Sequence, residues 1–169
     1  MSALRAEPPS AVVVRLNEML VELAQAVGDD RQTSDADRID RIAVLEKLAA
    51  ASAALQVAES VRFAQSQVAE QLAADVHPDK IGRGIAEQIG LACRISPVAA
   101  ARRLNTARAL WFELPDTYAQ LAAGELSARL AETIVSETRH LDPETRGQVD
   151  TQLAAARIWR LGVKAATAC

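Results

Sequence analysis

Four arginines lie within or at the edge of a stretch of the chain that contains no acidic residue. They are Arg94, Arg102, Arg103 and Arg108, and the acid-free stretch covers residues 94–110. The whole chain has a formal net charge of −3, so this stretch reverses the overall sign. Guanidinium groups form strong hydrogen-bonded pairs with phosphates, and binding to the DNA backbone requires such a local excess of positive charge. The chemistry that these residues predict is therefore phosphate contact.

The arginines belong to residues 85–110, which predict two helices joined by a tight turn. The three turn residues are Arg94, Ile95 and Ser96, a spacing typical of helix-turn-helix elements. Ser96 is a suitable N-cap, and Pro97 is tolerated in the first turn of a helix. Ile95 provides an apolar side chain for the corner between the helices. The glycine that is common in such turns is absent, because Arg94 occupies its position.

The second predicted helix has two chemically different sides. Its core side is identified by apolar residues at helical spacing: Ala100, Leu104, Ala107 and Trp111. The other side begins with small residues that would allow close approach to a DNA groove, and its arginines would meet phosphates. The candidate DNA-binding residues are Arg94, Ser96, Val98, Ala99, Arg102, Arg103, Thr106 and Arg108.

The same residues also fit a function without nucleic acid. Serine-capped helix pairs are common in all-helical proteins, and exposed arginines on a helix are usually only solvated. The residues alone leave two functions open. The first is DNA binding through residues 85–110, and the second is a helical domain that forms homo-oligomers or docks a partner through its longest helix.

Residues suited to catalysis are scarce. The two histidines, His77 and His140, stand at predicted helix ends, where a structural role is expected. The sequence has no cluster of His, Asp or Glu with metal-ligand spacing, no phosphate-cradling glycine loop and no GxSxG motif. We therefore expect no catalytic residue, no metal, no cofactor and no small-molecule substrate.

The composition predicts an all-α fold. Apolar residues make up 50% of the 169 residues but aromatic residues only 3%, so alanine, leucine, valine and isoleucine must form the core. Cys93 and Cys169 form neither a zinc motif nor a disulfide framework, which fits the cytoplasm. No signal peptide or membrane span is recognised, so we expect no contact with a membrane.

One segment dominates the predicted architecture, an elongated helical bundle. Residues 34–76 contain neither Gly nor Pro, and their apolar periodicity predicts a single very long helix of about 60 Å. Two apolar stripes predict neighbours on two sides of it, one including Ala50, Val57 and Val61 and the other Leu45, Leu48, Leu55 and Phe63. Shorter helices are predicted over residues 85–93, 97–111, 115–123 and 127–139, and from residue 143 onward.

The two ends of the chain frame this helical domain of residues 34–169. Residues 1–33 predict an N-terminal helix and linker, with a helix from Ser10 to about Val27 that should lie on the long helix. At the other end, helical spacing continues to Ala165 and no polar tail follows. We therefore expect the domain to be truncated at its C-terminus, as a fragment of a longer protein would be.

Two longer motifs resemble those of a known family. RISPxxAARRL matches residues 94–104, and LPxTxxxLxxGELS matches residues 114–127. Together with the long helix before them, they make residues 36–169 similar to the mycobacterial 13E12 repeat family and its helical domain of unknown function 222. The resemblance implies a cytoplasmic protein associated with mobile elements, in which an HNH endonuclease domain commonly follows the helical domain.

The nuclease residues of that family have no matching positions in this chain. The resemblance therefore implies a non-catalytic domain, whose parent protein is an endonuclease. It favours DNA binding or DNA positioning through residues 85–110, and the oligomerisation or partner-docking alternative stays open.

Overall fold

The computed structural model of the chain describes residues 10–26 and 33–156. Within these ranges the fold is all helical, as predicted, and no helix is long and apolar enough to cross a membrane. The helices in chain order are α1 (Ala11–Gln25), α2 (Asp35–Ala73), α3 (Ile85–Cys93), α4 (Pro97–Phe112), α5 (Pro115–Ala122), α6 (Ala128–Glu137) and α7 (Pro143–Ala156), with a 3-10 turn (Pro78–Lys80) between α2 and α3. The chain divides into two compact units, residues 1–39 and 40–169.

Helix α1 lies in the first unit and starts where its cap predicts. The Ser10 hydroxyl accepts a hydrogen bond from the Val13 amide at 3.4 Å. The predicted end of the helix near Val27 lies outside the described residues. The expectation that α1 lies on the long helix stays a prediction.

The long helix α2 is present as predicted, but it buries one side only. Its deeply buried residues are spaced three or four apart, and all but one are alanines: Ala50, Ala54, Ala58, Val61 and Ala64. Leu45, Leu48 and Leu55 of the second predicted stripe are 52%, 38% and 38% exposed. Phe63, the last residue of that stripe, is half-buried and packs beside Ala64 and Ile85. Among the described residues the second stripe is therefore covered only at Phe63, and the alanine side makes the close contacts between helices.

Two buried clusters hold the second unit together, and α2 contributes to both. The first joins α2 to the region from α4 to α6 and comprises Ala50, Ala54, Leu110, Leu114, Leu121, Leu126 and Ala131. The second joins α2 to the α3–α4 pair and comprises Ala64, Ile85, Ile89 and Leu104. Helix α4 also contributes to both clusters, so its position is fixed along its length.

The motif LPxTxxxLxxGELS serves mainly to build this packing. Its three leucines, Leu114, Leu121 and Leu126, are at most 1% exposed and all belong to the first cluster. Its final residue, Ser127, caps α6 by accepting a hydrogen bond from the Leu130 amide at 3.3 Å. The motif therefore specifies the turn between α5 and α6 and its contact with α2.

Gly124 in this turn occupies a position that admits no side chain. Its φ is +70°, and a Cβ built there would lie 3.0 Å from the Lys47 Cβ and 3.1 Å from the Lys47 carbonyl oxygen. Gly124→Ala should therefore lower the free energy of unfolding by about 2–4 kcal/mol, since a left-handed backbone and overpacking are each unfavourable. Urea unfolding followed by circular dichroism measures the loss.

Gly82 provides the matched control for this substitution. Its φ is +83°, but nothing lies within 4 Å of a Cβ built there. Gly82→Ala should therefore lose only the conformational part, about 1–2 kcal/mol. Equal losses at the two positions would mean that the close approach of Lys47 has no effect on stability.

Candidate nucleic-acid interface

Helices α3 and α4 form the predicted pair joined by a three-residue turn. Helix α3 ends at Cys93 and α4 begins at Pro97. The Ser96 hydroxyl accepts a hydrogen bond from the Ala99 amide at 3.2 Å, which is the predicted N-cap. Arg94, at φ 57° and ψ 41°, adopts the left-handed conformation that glycine usually takes after a helix. The turn therefore keeps its geometry without a glycine.

A close approach at Gly90 fixes the two helices against each other. A Cβ at Gly90 would lie 3.2 Å from both the Ala100 Cβ and the Ile95 carbonyl oxygen. The Ile95 amide also donates to the Gly90 carbonyl at 3.0 Å. Ile95 is half-buried beside this contact, in agreement with its predicted place at the corner. The direction of α4 is thus set by backbone contacts within the pair.

The predicted core side of α4 is buried except at its end. The three residues that are fully buried are Ala100, Leu104 and Ala107. Trp111 is only half-buried, and its ring meets the Tyr118 ring edge-on with 5.2 Å between centroids. The large indole therefore lies at the rim of the first cluster.

The predicted DNA-facing side of α4 is divided in two. Its beginning is open, with Val98 63% exposed and with Arg94 and Ser96 exposed in the turn before it. The following residues instead line a cleft of about 490 Å³ that α2 and α6 also line; they are Ala99, Arg102, Arg103 and Thr106. The helical wheel alone predicted one continuous face, and the packing of α6 beside α4 divides it.

Two of the predicted residues are partly engaged by this packing. The Arg103 guanidinium donates a hydrogen bond to the Gln56 side-chain oxygen on α2. Thr106 is half-buried on α4, in the cleft that Glu132 of α6 also lines. Arg103 therefore contributes to holding α4 against α2, whereas Arg102 and Arg108 remain exposed.

A second groove, of about 800 Å³, adjoins this cleft and shares Arg102, Thr106 and Glu132 with it. Arg102 and Arg108 line it from α4, and Arg139 lines it from the segment after α6. Within the described residues none of these three arginines has a hydrogen bond or ion pair from its guanidinium. Arg139 was not predicted, because it lies outside the acid-free stretch and joins the groove only through the packing of α6 on α4.

The groove also contains a buried arginine that sequence reasoning missed. The side chain of Arg146 on α7 is 7% exposed and forms an ion pair with Glu113 at 2.5 Å. It also donates to the Thr138 hydroxyl at 2.9 Å and to the Val135 carbonyl at 2.7 Å. The pair compensates the charge of Glu113, which leaves Glu132 as the acid of the groove that has no ion pair among the described residues.

Asp142 positions the first turn of α7, from which Arg146 projects. Its carboxylate accepts hydrogen bonds from the Thr145 hydroxyl at 2.6 Å, the Thr145 amide at 3.0 Å and the Glu144 amide at 3.1 Å. These bonds, that of the Thr145 hydroxyl first, hold the pKa of Asp142 below its ordinary value. The ionised carboxylate is therefore the form that caps α7.

One of the two histidines, His77, holds a structural position. His77 Nδ1 accepts a hydrogen bond from the Asp79 amide at 3.3 Å and so caps the 3-10 turn. His140 is exposed in the segment after α6. In the part of the chain that the structure describes, no group of three or more His, Cys, Asp or Glu is placed to hold a metal ion.

These features define a class: an all-helical domain built on one long helix, with a helix-turn-helix-like pair and an arginine-lined groove beside it. The family model described as "Domain of unknown function (DUF222)" matches residues 42–166. Because this match covers most of the chain, the chain belongs to that family. No curated protein and no solved structure matches it.

Proposed function

We propose that the chain is a DNA-binding or DNA-positioning domain that acts through α3 and α4. The observation that supports this is the open start of α4, where Val98 is 63% exposed and the small Ala99 is exposed next to it at the edge of the cleft. Arg94 and Arg102 lie on either side of them, and residues 94–110 contain no acid. Small side chains allow a helix to enter a major groove, and arginines beside them reach the phosphates at its edges.

In this proposal the domain performs no reaction itself. It is the helical part of a protein of the 13E12 repeat type, as its motifs imply, and nuclease chemistry belongs to an associated HNH domain. Its role in the cytoplasm is to hold DNA where that chemistry takes place. The phosphate contacts supply affinity, and any preference for a sequence comes from the first turns of α4.

Fluorescence anisotropy with a labelled duplex of about 20 base pairs, two helical turns, tests the proposal. The variant combines Arg102→Gln with Arg94→Gly, which removes two charges without removing a buried side chain. Glycine also suits the left-handed conformation of residue 94, so this variant should fold at least as well. We expect binding at about 0.1 M salt to weaken roughly tenfold for each phosphate that is no longer neutralised, with a shallower salt dependence.

Arg129→Gln is the control for loss of charge alone. Arg129 is exposed on α6 and lines neither the cleft nor the groove. The proposal requires this control to bind like the unchanged chain, with helical circular dichroism equal in all variants. If the unchanged chain binds no duplex and light scattering gives the molar mass of a dimer, DNA binding is contradicted and oligomerisation is favoured. The exposed Leu45, Leu48 and Leu55 of α2 would then explain the dimer.

A further inference from the structure

We infer that the groove between α4 and α6 binds a phosphodiester of the DNA backbone through Arg102, Arg108 and Arg139. This rests on the proposed function and extends it beyond the helix-turn-helix-like pair, because Arg139 follows α6. The DNA strand would thus be held from two elements that are distant in sequence. The groove would set the orientation of α4 on the DNA and would not determine which bases α4 contacts.

The first argument is the charge of the groove. Its three exposed arginines lack any ion pair or side-chain hydrogen bond within the described residues, so their donors remain free for a ligand. Like charges that line one groove repel one another, and an anion between them removes that repulsion. Phosphate is the anion whose oxygens best match the planar fork of guanidinium donors.

The second argument is that the groove is built on a fixed, neutralised base. Arg146 holds Glu113 in an ion pair, so the Glu113 carboxylate does not repel a phosphate. The bonds of Arg146 to Thr138, Glu113 and Val135 hold this base in place. Asn105 and Ser136 add neutral polar groups to the lining.

The third argument concerns shape. At about 800 Å³ the groove exceeds what a single small anion fills, and it is open to solvent. It also adjoins α4, which the proposed function places in a major groove. A strand that borders a major groove runs beside the inserted helix, so its backbone passes where these arginines lie.

Arg139→Gln is the direct test, with Arg129→Gln as the matched control. Both residues are exposed arginines near one end or the other of α6, but only Arg139 lines the groove. By anisotropy, Arg139→Gln should bind duplex about five- to tenfold more weakly at about 0.1 M salt, with the slope of log K against log salt reduced by about 1. The loss should be equal for duplexes of different sequence.

Glu132→Gln should have the opposite effect. It removes the acid of the groove that has no ion pair among the described residues, so binding should tighten about two- to fivefold. A gain of affinity cannot result from misfolding. The two variants alter one groove, and they should change the affinity for duplex in opposite directions.

The outcomes separate this inference from the proposed function. If the variant of Arg94 and Arg102 binds weakly while Arg139→Gln and Glu132→Gln match the Arg129→Gln control, the groove inference is overturned and the proposed function stands. Arg94→Gly alone changes a residue that lines no part of the groove. If the groove variants shift binding and Arg94→Gly does not, the groove stands and the contact at the turn before α4 fails. Competition by millimolar pyrophosphate as effective as that by unlabelled duplex would overturn the inference, because the groove would then be a small-anion site.

Discussion

Arg146→Ala is expected to lower the free energy of unfolding by about 2–4 kcal/mol. The residue is 6% exposed and bonds to groups from two places in the fold, Glu113 at the end of α4 and both Val135 and Thr138 at the end of α6. Truncation leaves the Glu113 carboxylate and the Val135 carbonyl without their partner. The loss falls at the lower end for a buried pair because the side chain of Glu113 keeps 33% of its exposure to water.

Chemical unfolding at neutral pH measures this loss, and Arg139→Ala is the control. Arg139 is an exposed arginine of the same groove, so its truncation should change stability by no more than about 0.5 kcal/mol. The double variant Glu113→Gln with Arg146→Met should recover part of the loss, because it leaves no unpaired charge. Equal stability of Arg146→Ala and Arg139→Ala would show that the buried ion pair does not form in solution.

Asp150→Ala is expected to cause a loss of similar size, about 2–4 kcal/mol. Asp150 on α7 is 1% exposed, and its carboxylate accepts hydrogen bonds from the Asp116 amide at 2.7 Å and the Thr117 amide at 3.0 Å. The Thr117 hydroxyl also donates to it. Leu114, the residue before α5, has no side chain that could cap this helix. Asp150 therefore caps α5 from another helix, and its truncation leaves buried donors unsatisfied.

Hydrogen exchange measures the loss of stability in Asp150→Ala and shows which amides lose their protection. In Asp150→Ala the amides of Asp116 and Thr117 should lose protection relative to the rest of α5. Asp150→Asn keeps one acceptor oxygen and should lose less, and Thr151→Val removes only an exposed hydroxyl that donates to Asp116 at 3.0 Å. Retained protection of the two amides in Asp150→Ala would mean that α5 has another cap.

The order of the helices and the bounds of α3 to α6, to within two residues, could be predicted because local signals set them. Ser96 and Ser127 do cap the helices that they predict, and Pro97 does begin α4. The buried side of α2 could be predicted only in part. Leucine is the more hydrophobic residue, but the packing selected the alanine side because it permits closer contact between helices.

The candidate groove could not be predicted from the sequence. Arg102 and Arg139 are far apart along the chain, and only the packing of α6 against α4 makes them line one groove. Arg146 stands beside acidic and polar residues in the sequence, which is typical of a solvated helix face, yet it is buried. Its partner Glu113 lies on another helix end, and no local pattern pairs two such distant residues.

Helix α7 also couples the folding of α5 to the folding of α6. Helices α5 and α6 have 8 and 10 residues, which is too short for stable helix formation in isolation. Both are bound by α7: Asp150 binds the start of α5, and Arg146 binds the end of α6 at Val135 and Thr138. The three helices should therefore form as one cooperative step, and local opening of α7 should expose the groove-forming segment after α6 with it.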